Sequence, residues 1–217
     1  MHPPITYKSR VKRFIYFKNP KCASTSILKI LCENNLLTGH HKKKGLHSKQ
    51  EIESTGFIPA YQFQDFLKFS FVRNPYSRVV SLFEDKVCRS PGTRWEIPFW
   101  AQRKESSFVE FVRFLSKDNN YLFDRHSQPQ YLNLNKLNGF LPEVKHLNFI
   151  GKVEFFNEDL KKLCKLIGFR LNEYPKKNLS KKTSKMFDDY KDYYCEESKN
   201  IVSRLYKKDL ELFKYDF

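Results

Sequence analysis

A lysine set between a strand signal and a helix signal is the first place where this chain could hold an anion. Phe14-Ile15-Tyr16-Phe17 is a short aromatic and β-branched run that stops at Asn19-Pro20, as a strand does at a turn. Lys21-Cys22-Ala23-Ser24-Thr25-Ser26 follows, and Ile27, Leu28, Ile30 and Leu31 then recur at helical spacing. A strand, a tight loop with a lysine and a helix opening on hydroxyl residues together form a phosphate cradle. The first amides and the positive dipole end of the helix face the anion, and the lysine adds a full charge. The spaced glycines and closing Gly-Lys-Ser/Thr of a Walker A loop are missing. Taken alone, the segment also suits an ordinary capped helix.

A second segment repeats the arrangement. Lys68-Phe69-Ser70-Phe71-Val72 reads as a buried strand, and Arg73-Asn74-Pro75 follows at once. Asn74 suits an N-cap and Pro75 the first helical position. The helix then runs through Tyr76-Ser77-Arg78-Val79-Val80-Ser81-Leu82-Phe83, with Val79, Val80, Phe83 and Val87 as its apolar stripe. Arg73 falls at the carboxyl end of its strand, where open α/β sheets bind ligands. Ser81, two turns on, offers a hydroxyl to the same anion. Two strand-loop-helix units, each with a cation and hydroxyls, point to a ligand with two separate phosphate groups.

These two segments resemble the phosphate-binding motifs of sulfotransferases. Lys21-Cys22-Ala23-Ser24-Thr25-Ser26 is similar to their 5′-phosphosulfate loop, and the run from Phe71 to Ser81 to their 3′-phosphate motif. The resemblance is to the carbohydrate branch that includes the chondroitin and HNK-1 enzymes and short bacterial relatives. Leu46-His47-Ser48, the run from Asp124 to Gln130, the run from Phe149 to Glu154 and the ending Asp209 to Tyr215 extend it from about residue 13 onward. It implies a single sulfotransferase domain over residues 1–217, a three-layer P-loop-like α/β fold with a central parallel sheet flanked by helices. It also implies 3′-phosphoadenosine-5′-phosphosulfate as donor, its desulfated product 3′-phosphoadenosine-5′-phosphate, and a carbohydrate hydroxyl as acceptor. On that resemblance Lys21, Cys22, Ala23, Ser24, Thr25 and Ser26 hold the 5′ end, with Lys21 at the bridging oxygen. Arg73 and Ser81 hold the 3′-phosphate, and the basic run from Lys176 to Lys185 becomes a lid.

Sulfuryl transfer asks for an acceptor oxygen that loses its proton, lies in line with sulfur, and sees the leaving charge stabilised. The migrating group carries less charge than a phosphoryl group, so a lysine and amides suffice, and no metal is expected. For the base, His47 ahead of the 3′-phosphate strand and His126 within Asp124-Arg125-His126-Ser127-Gln128-Pro129-Gln130 are rivals, since an ordinary histidine titrates near about 6.5. Glu84 and Asp85 are a third possibility, some carbohydrate sulfotransferases using a carboxylate. Glu154 reads as a loop anchor.

Composition narrows the field without closing it. Forty Lys and Arg against 24 Asp and Glu leave a net charge of +16, which favours a polyanionic ligand such as an acidic polysaccharide. A glycolipid acceptor also fits. A basic nucleic-acid-binding module is the competing class, but no nucleic-acid motif accompanies the charge, so no nucleic acid is expected. A nucleotide kinase of related fold is a third, opposed by the missing Gly-Lys-Ser/Thr. Five cysteines, an odd count, read as reduced thiols. His40, His41 and His47 lack partner ligands at zinc spacing. No apolar run approaches the roughly 20 residues of a membrane span, and Met1-His2-Pro3-Pro4 lacks a signal core. The chain as given reads as cytoplasmic, or as a Golgi-type catalytic piece without its anchor. Oligomeric state is not written in it.

Further elements follow from periodicity. Phe108, Phe111, Val112 and Leu115 mark an amphipathic helix after Ser107, and Leu147-Asn148-Phe149-Ile150 a buried strand. Asn157 is expected to cap a helix buried through Leu160, Leu163, Cys164 and Ile167 and ended by Gly168. A last long helix follows Cys195, turning Ile201, Val202, Leu205 and Tyr206 inward. Trp95 and Trp100, between Arg89 and Lys104, suit a sugar-stacking wall or an aromatic plug. Alternating strands and helices argue for a parallel sheet.

Overall fold

A computed structural model describes residues 5–37, 64–89, 107–122, 124–134, 144–171 and 187–217. His40, His41, His47, the tryptophans Trp95 and Trp100, and the run from Lys176 to Lys185 lie outside the described residues. The strands are β1 (Ile5–Ser9), β2 (Phe14–Lys18), β3 (Leu67–Val72) and β4 (Phe149–Lys152). The helices are α1 (Ser24–Glu33), α2 (Pro75–Phe83), α3 (Phe108–Ser116), α4 (Gln130–Leu134), α5 (Phe156–Leu166), α6 (Glu196–Leu205) and α7 (Lys207–Phe213). Two compact units form: Met1–Val72 with Leu132–Asn178, and Arg73–Tyr131 with Leu179–Phe217.

The first unit holds the sheet, in the order β1-β2-β3-β4. The pairings β2–β3 and β3–β4 are parallel, as alternating strands and helices predict, but β1 runs antiparallel to β2. The central sheet is therefore mixed, a correction to the all-parallel expectation. The cause is local: β1 and β2 are joined by a four-residue hairpin turn, too short for the crossover a parallel pair needs. Tyr7, Tyr16 and Phe69 stack across β1, β2 and β3 at centroid spacings of 6.0 and 5.1 Å, which pins the register. Beneath lie Ile27, Leu28 and Leu31 from α1 and Leu163 from α5. Ser70 Oγ donates to the Phe17 carbonyl at 2.8 Å, so the one polar side chain buried within β3 is satisfied.

α5 starts two residues earlier than the capping rule expects. Phe155 is the N-cap and Asn157 lies inside the helix, because the Phe156 ring packs on Phe71 at 5.5 Å and draws the first turn toward the sheet. Asp159 in that first turn accepts from the Lys152 amide at 2.8 Å and ties β4 to the helix. The end of α5 is as expected: Gly168 is left-handed at φ 63°, its amide donating to Lys165 and that of Phe169 to Cys164, a Schellman close. At Gly151 a Cβ would lie 2.4 Å from the Phe71 ring. That glycine is what lets Phe71 lie flat on β4, two residues before Arg73.

The second unit is helical. Asn74 caps α2, accepting from the Tyr76 amide at 2.9 Å, with Pro75 opening the helix. Ser107 and Glu110 form a capping box at the start of α3. Phe83, Phe108, Phe111, Val112, Val202 and Tyr206 make its core. The helix after Cys195 breaks at the buried Tyr206, whose hydroxyl donates to the Ser127 carbonyl.

Candidate functional site

Backbone geometry sets the Lys21 loop apart. Lys21 and Ala23 are both left-handed, at φ 65° and 55°, with Cys22 buried between them. Side chains avoid this region, at about 1 to 3 kcal/mol for a non-glycine residue, and such strain gathers where a ligand is held. Alternating handedness turns successive amides into one concavity, a nest for an anion. α1 then opens on Ala23 with no side-chain cap and no acid in its first turn. The predicted opening on serine and threonine is thus not a capped one. Ser24 is buried, Ser26 half-buried and Thr25 exposed. The Cys22 main-chain amide donates to the Asn19 carbonyl at 3.3 Å, and the Asn19 side-chain Nδ2 donates to the Phe71 carbonyl at 3.3 Å. The loop is therefore tied to the parallel neighbour strand, close to where that strand ends. These features suit the binding of an anion.

In the second unit, Arg73 Nε donates to Ser77 Oγ at 2.9 Å. Ser81 lies four residues beyond Ser77 on the same face of α2, and Arg73, just ahead of the helix, reaches that face through its bond to Ser77. Gln130 grips the Arg73 main chain twice, accepting from its amide at 2.9 Å and donating to its carbonyl at 2.8 Å. Asp209 in turn accepts from the amides of Gln130 and Tyr131, at 2.6 and 2.9 Å, at the start of α4. Burial pushes the Asp209 carboxyl above its ordinary range, against the pull of those amides and of Arg78.

Arg78 is 1% exposed, although it sits in an exposed-looking stretch of sequence. Its guanidinium donates to the carbonyls of Gln128 and Arg125, at 3.0 and 3.3 Å, and so anchors the turn that carries His126. His126 Nδ1 is 2.8 Å from Asp124 Oδ1, which also accepts the His126 amide at 3.1 Å. Burial would raise the Asp124 carboxyl, but the side-chain bond and charge of His126, its amide and Lys86 outweigh burial and hold it at about 2.

This depression has a consequence for stability. A carboxyl near 3.8 unfolded and about 2 folded contributes about 2 kcal/mol, present in full above the unfolded value. As pH falls from about 4 to 2 the unfolded chain takes up the proton first, and that stability is lost. Urea titrations from pH 6 to 2 should show this acid loss in the native protein and a shallower one in Asp124→Asn.

Glu84, one of the carboxylates weighed as a base, is buried and accepts from the Tyr193 hydroxyl. All five cysteines are free thiols, as their odd count predicts. Among the described residues no helix is long and apolar enough to cross a membrane, and no group of three or more His, Cys, Asp or Glu could hold a metal ion.

The sulfotransferase family matches residues 6–216, which takes in nearly all of both units. The chain belongs to the sulfotransferase family. Carbohydrate sulfotransferase 10 of Xenopus laevis is 25% identical to it over 248 aligned positions, covering 94% of this chain. The chain spans 65% of that relative's length. No solved structure matches. Within this sulfotransferase, Ser77, Arg78, Asp124, Gln130 and Asp209 carry supporting roles that sequence reasoning did not assign. The signal available for them was membership in the matching runs alone.

Proposed function

We propose that this sulfotransferase moves a sulfuryl group from 3′-phosphoadenosine-5′-phosphosulfate to a carbohydrate hydroxyl. One observation carries the reading: an uncapped helix start preceded by two left-handed residues, one of them the lysine, directly after a parallel strand. The donor supplies an activated sulfur on a phosphate leaving group. Amides from Ala23 to Ser26 and the hydroxyls of Ser24, Thr25 and Ser26 hold its 5′ end, Cys22 keeps the loop closed from beneath, and Lys21 offsets charge on the bridging oxygen as it leaves. Arg73, with Ser81 from α2, holds the 3′-phosphate through a fork matched to phosphate oxygens. A histidine, His47 or His126, takes the acceptor proton. The net charge of +16 favours an acidic polysaccharide over a neutral glycolipid as acceptor.

Titration calorimetry with 3′-phosphoadenosine-5′-phosphate, followed by labelled transfer to a panel of polysaccharides, glycolipids and phenols, tests this. Nucleotide binding with label on a polysaccharide is expected. Absence of binding heat, or label on phenols alone, contradicts it.

A further inference from the structure

We propose that Asp124 is a positioning residue that holds His126 with Nδ1 protonated, so that Nε2 is the atom that takes the proton of the acceptor hydroxyl. This rests on the sulfuryl-transfer reading and narrows its choice of base to His126.

Three observations carry it. First, the contact is double: Asp124 Oδ1 accepts both the ring Nδ1 at 2.8 Å and the main-chain amide of the same histidine at 3.1 Å. An ionised carboxylate only accepts, so the proton of that contact belongs to Nδ1, and the lone pair of the neutral ring is on Nε2. Second, the turn is fixed from every side. The Asp124 carbonyl accepts from the amides of Ser127 and Gln128 and from Ser127 Oγ, at 3.0, 2.8 and 2.9 Å. Arg78 holds the carbonyls on either side of the histidine, at Arg125 and Gln128, and the Tyr206 hydroxyl bonds that of Ser127. A surface turn does not require a buried arginine. Third, the side chain of Asp124 is 11% exposed whereas that of His126 is 29% exposed, so the orienting carboxylate is the more sheltered of the two. Among the described residues, charges on the turn come also from Arg78 of α2, Lys86 of the wide helical turn Glu84–Arg89, and Arg125 itself.

The step balances. The acceptor oxygen forms its bond to sulfur while its proton passes to Nε2, and the bridging sulfur–oxygen bond breaks with its electron pair going to the nucleotide phosphate. The imidazolium faces the Asp124 carboxylate until solvent removes the proton. An asparagine at 124 can present its NH2 to Nδ1, which moves the ring proton to Nε2 and removes the base.

The experiment joins ¹⁵N–¹H NMR of the histidine rings, His126 being assigned through His126→Gln, with transfer from 3′-phosphoadenosine-5′-phosphosulfate onto desulfated chondroitin. Native protein is expected to show the Nδ1-protonated form, and Asp124→Asn to lose it. Asp124→Asn and His126→Gln should each lower kcat about 100-fold, with KM and nucleotide affinity within about twofold, and Asp124→Glu should recover part of the rate. Should Asp124→Asn not fold, His126→Gln leaves the carboxylate in place and decides alone. An Nε2-protonated ring in native protein, or a His126→Gln enzyme within about threefold of native kcat, overturns the proposal. Native protein that fails to bind nucleotide overturns the sulfuryl-transfer reading instead.

Discussion

Lys21→Ala is expected to lower kcat by about 1,000-fold while affinity for 3′-phosphoadenosine-5′-phosphate falls only severalfold. The lysine's task is to meet charge that builds on the bridging oxygen as sulfur leaves, and removing one such group costs about 100- to 1,000-fold in rate. Ground-state binding rests more on the amides and on Arg73, which the substitution leaves in place. A control follows from the backbone. Lys21 is left-handed at φ 65°, which glycine adopts without penalty. Lys21→Gly should therefore be about 1 kcal/mol more stable than Lys21→Ala yet equally slow. Rapid-quench transfer and thermal melts check both. A Lys21→Ala enzyme within tenfold of native kcat would remove the lysine from the chemistry.

Arg73→Ala is expected to weaken 3′-phosphoadenosine-5′-phosphate about 100-fold and leave adenosine 5′-phosphosulfate, which lacks the 3′-phosphate, within about threefold. Two charge-assisted bonds to phosphate account for a loss of that size. The main chain at this position is clamped by Gln130, whose own amide is held by Asp209, so truncating the side chain should not displace the strand end. Arg73→Lys should recover part of the affinity, because a point charge remains and the fork does not. Calorimetry with both nucleotides separates these outcomes. Equal losses for the two ligands would mean that Arg73 acts on the fold and not on the 3′-phosphate.

Features written locally were legible in the sequence. The strand ending in Asn19-Pro20, the Asn74-Pro75 helix start, the apolar stripe of α3 and the Gly168 close each depend on residues within four or five positions of one another. Features built by distant partners were not. Arg78 reads as one more charge on a helix, and only the carbonyls of Arg125 and Gln128 explain its burial. Asp209 and Gln130 are 79 residues apart, and no spacing rule connects them. β1 escaped notice because ITYKS is short and its turn into β2 uses Arg13 at φ 51°, where a glycine or asparagine would have announced a hairpin. Asn157 misled because capping preference is weaker than the packing of Phe156 on Phe71. The cradle itself stood between the two cases. Its residue types were visible, but the left-handed pair that shapes it involves a lysine and an alanine, neither of which signals positive φ.

A crystal structure of the protein with 3′-phosphoadenosine-5′-phosphate tests the central claim most directly. One nucleotide should run between the two cradles, its 5′-phosphate on the amides from Ala23 to Ser26 within reach of Lys21, its 3′-phosphate on Arg73 and Ser81. A nucleotide bound through other residues, or touching one of these segments with the other more than a phosphate contact away, would contradict it.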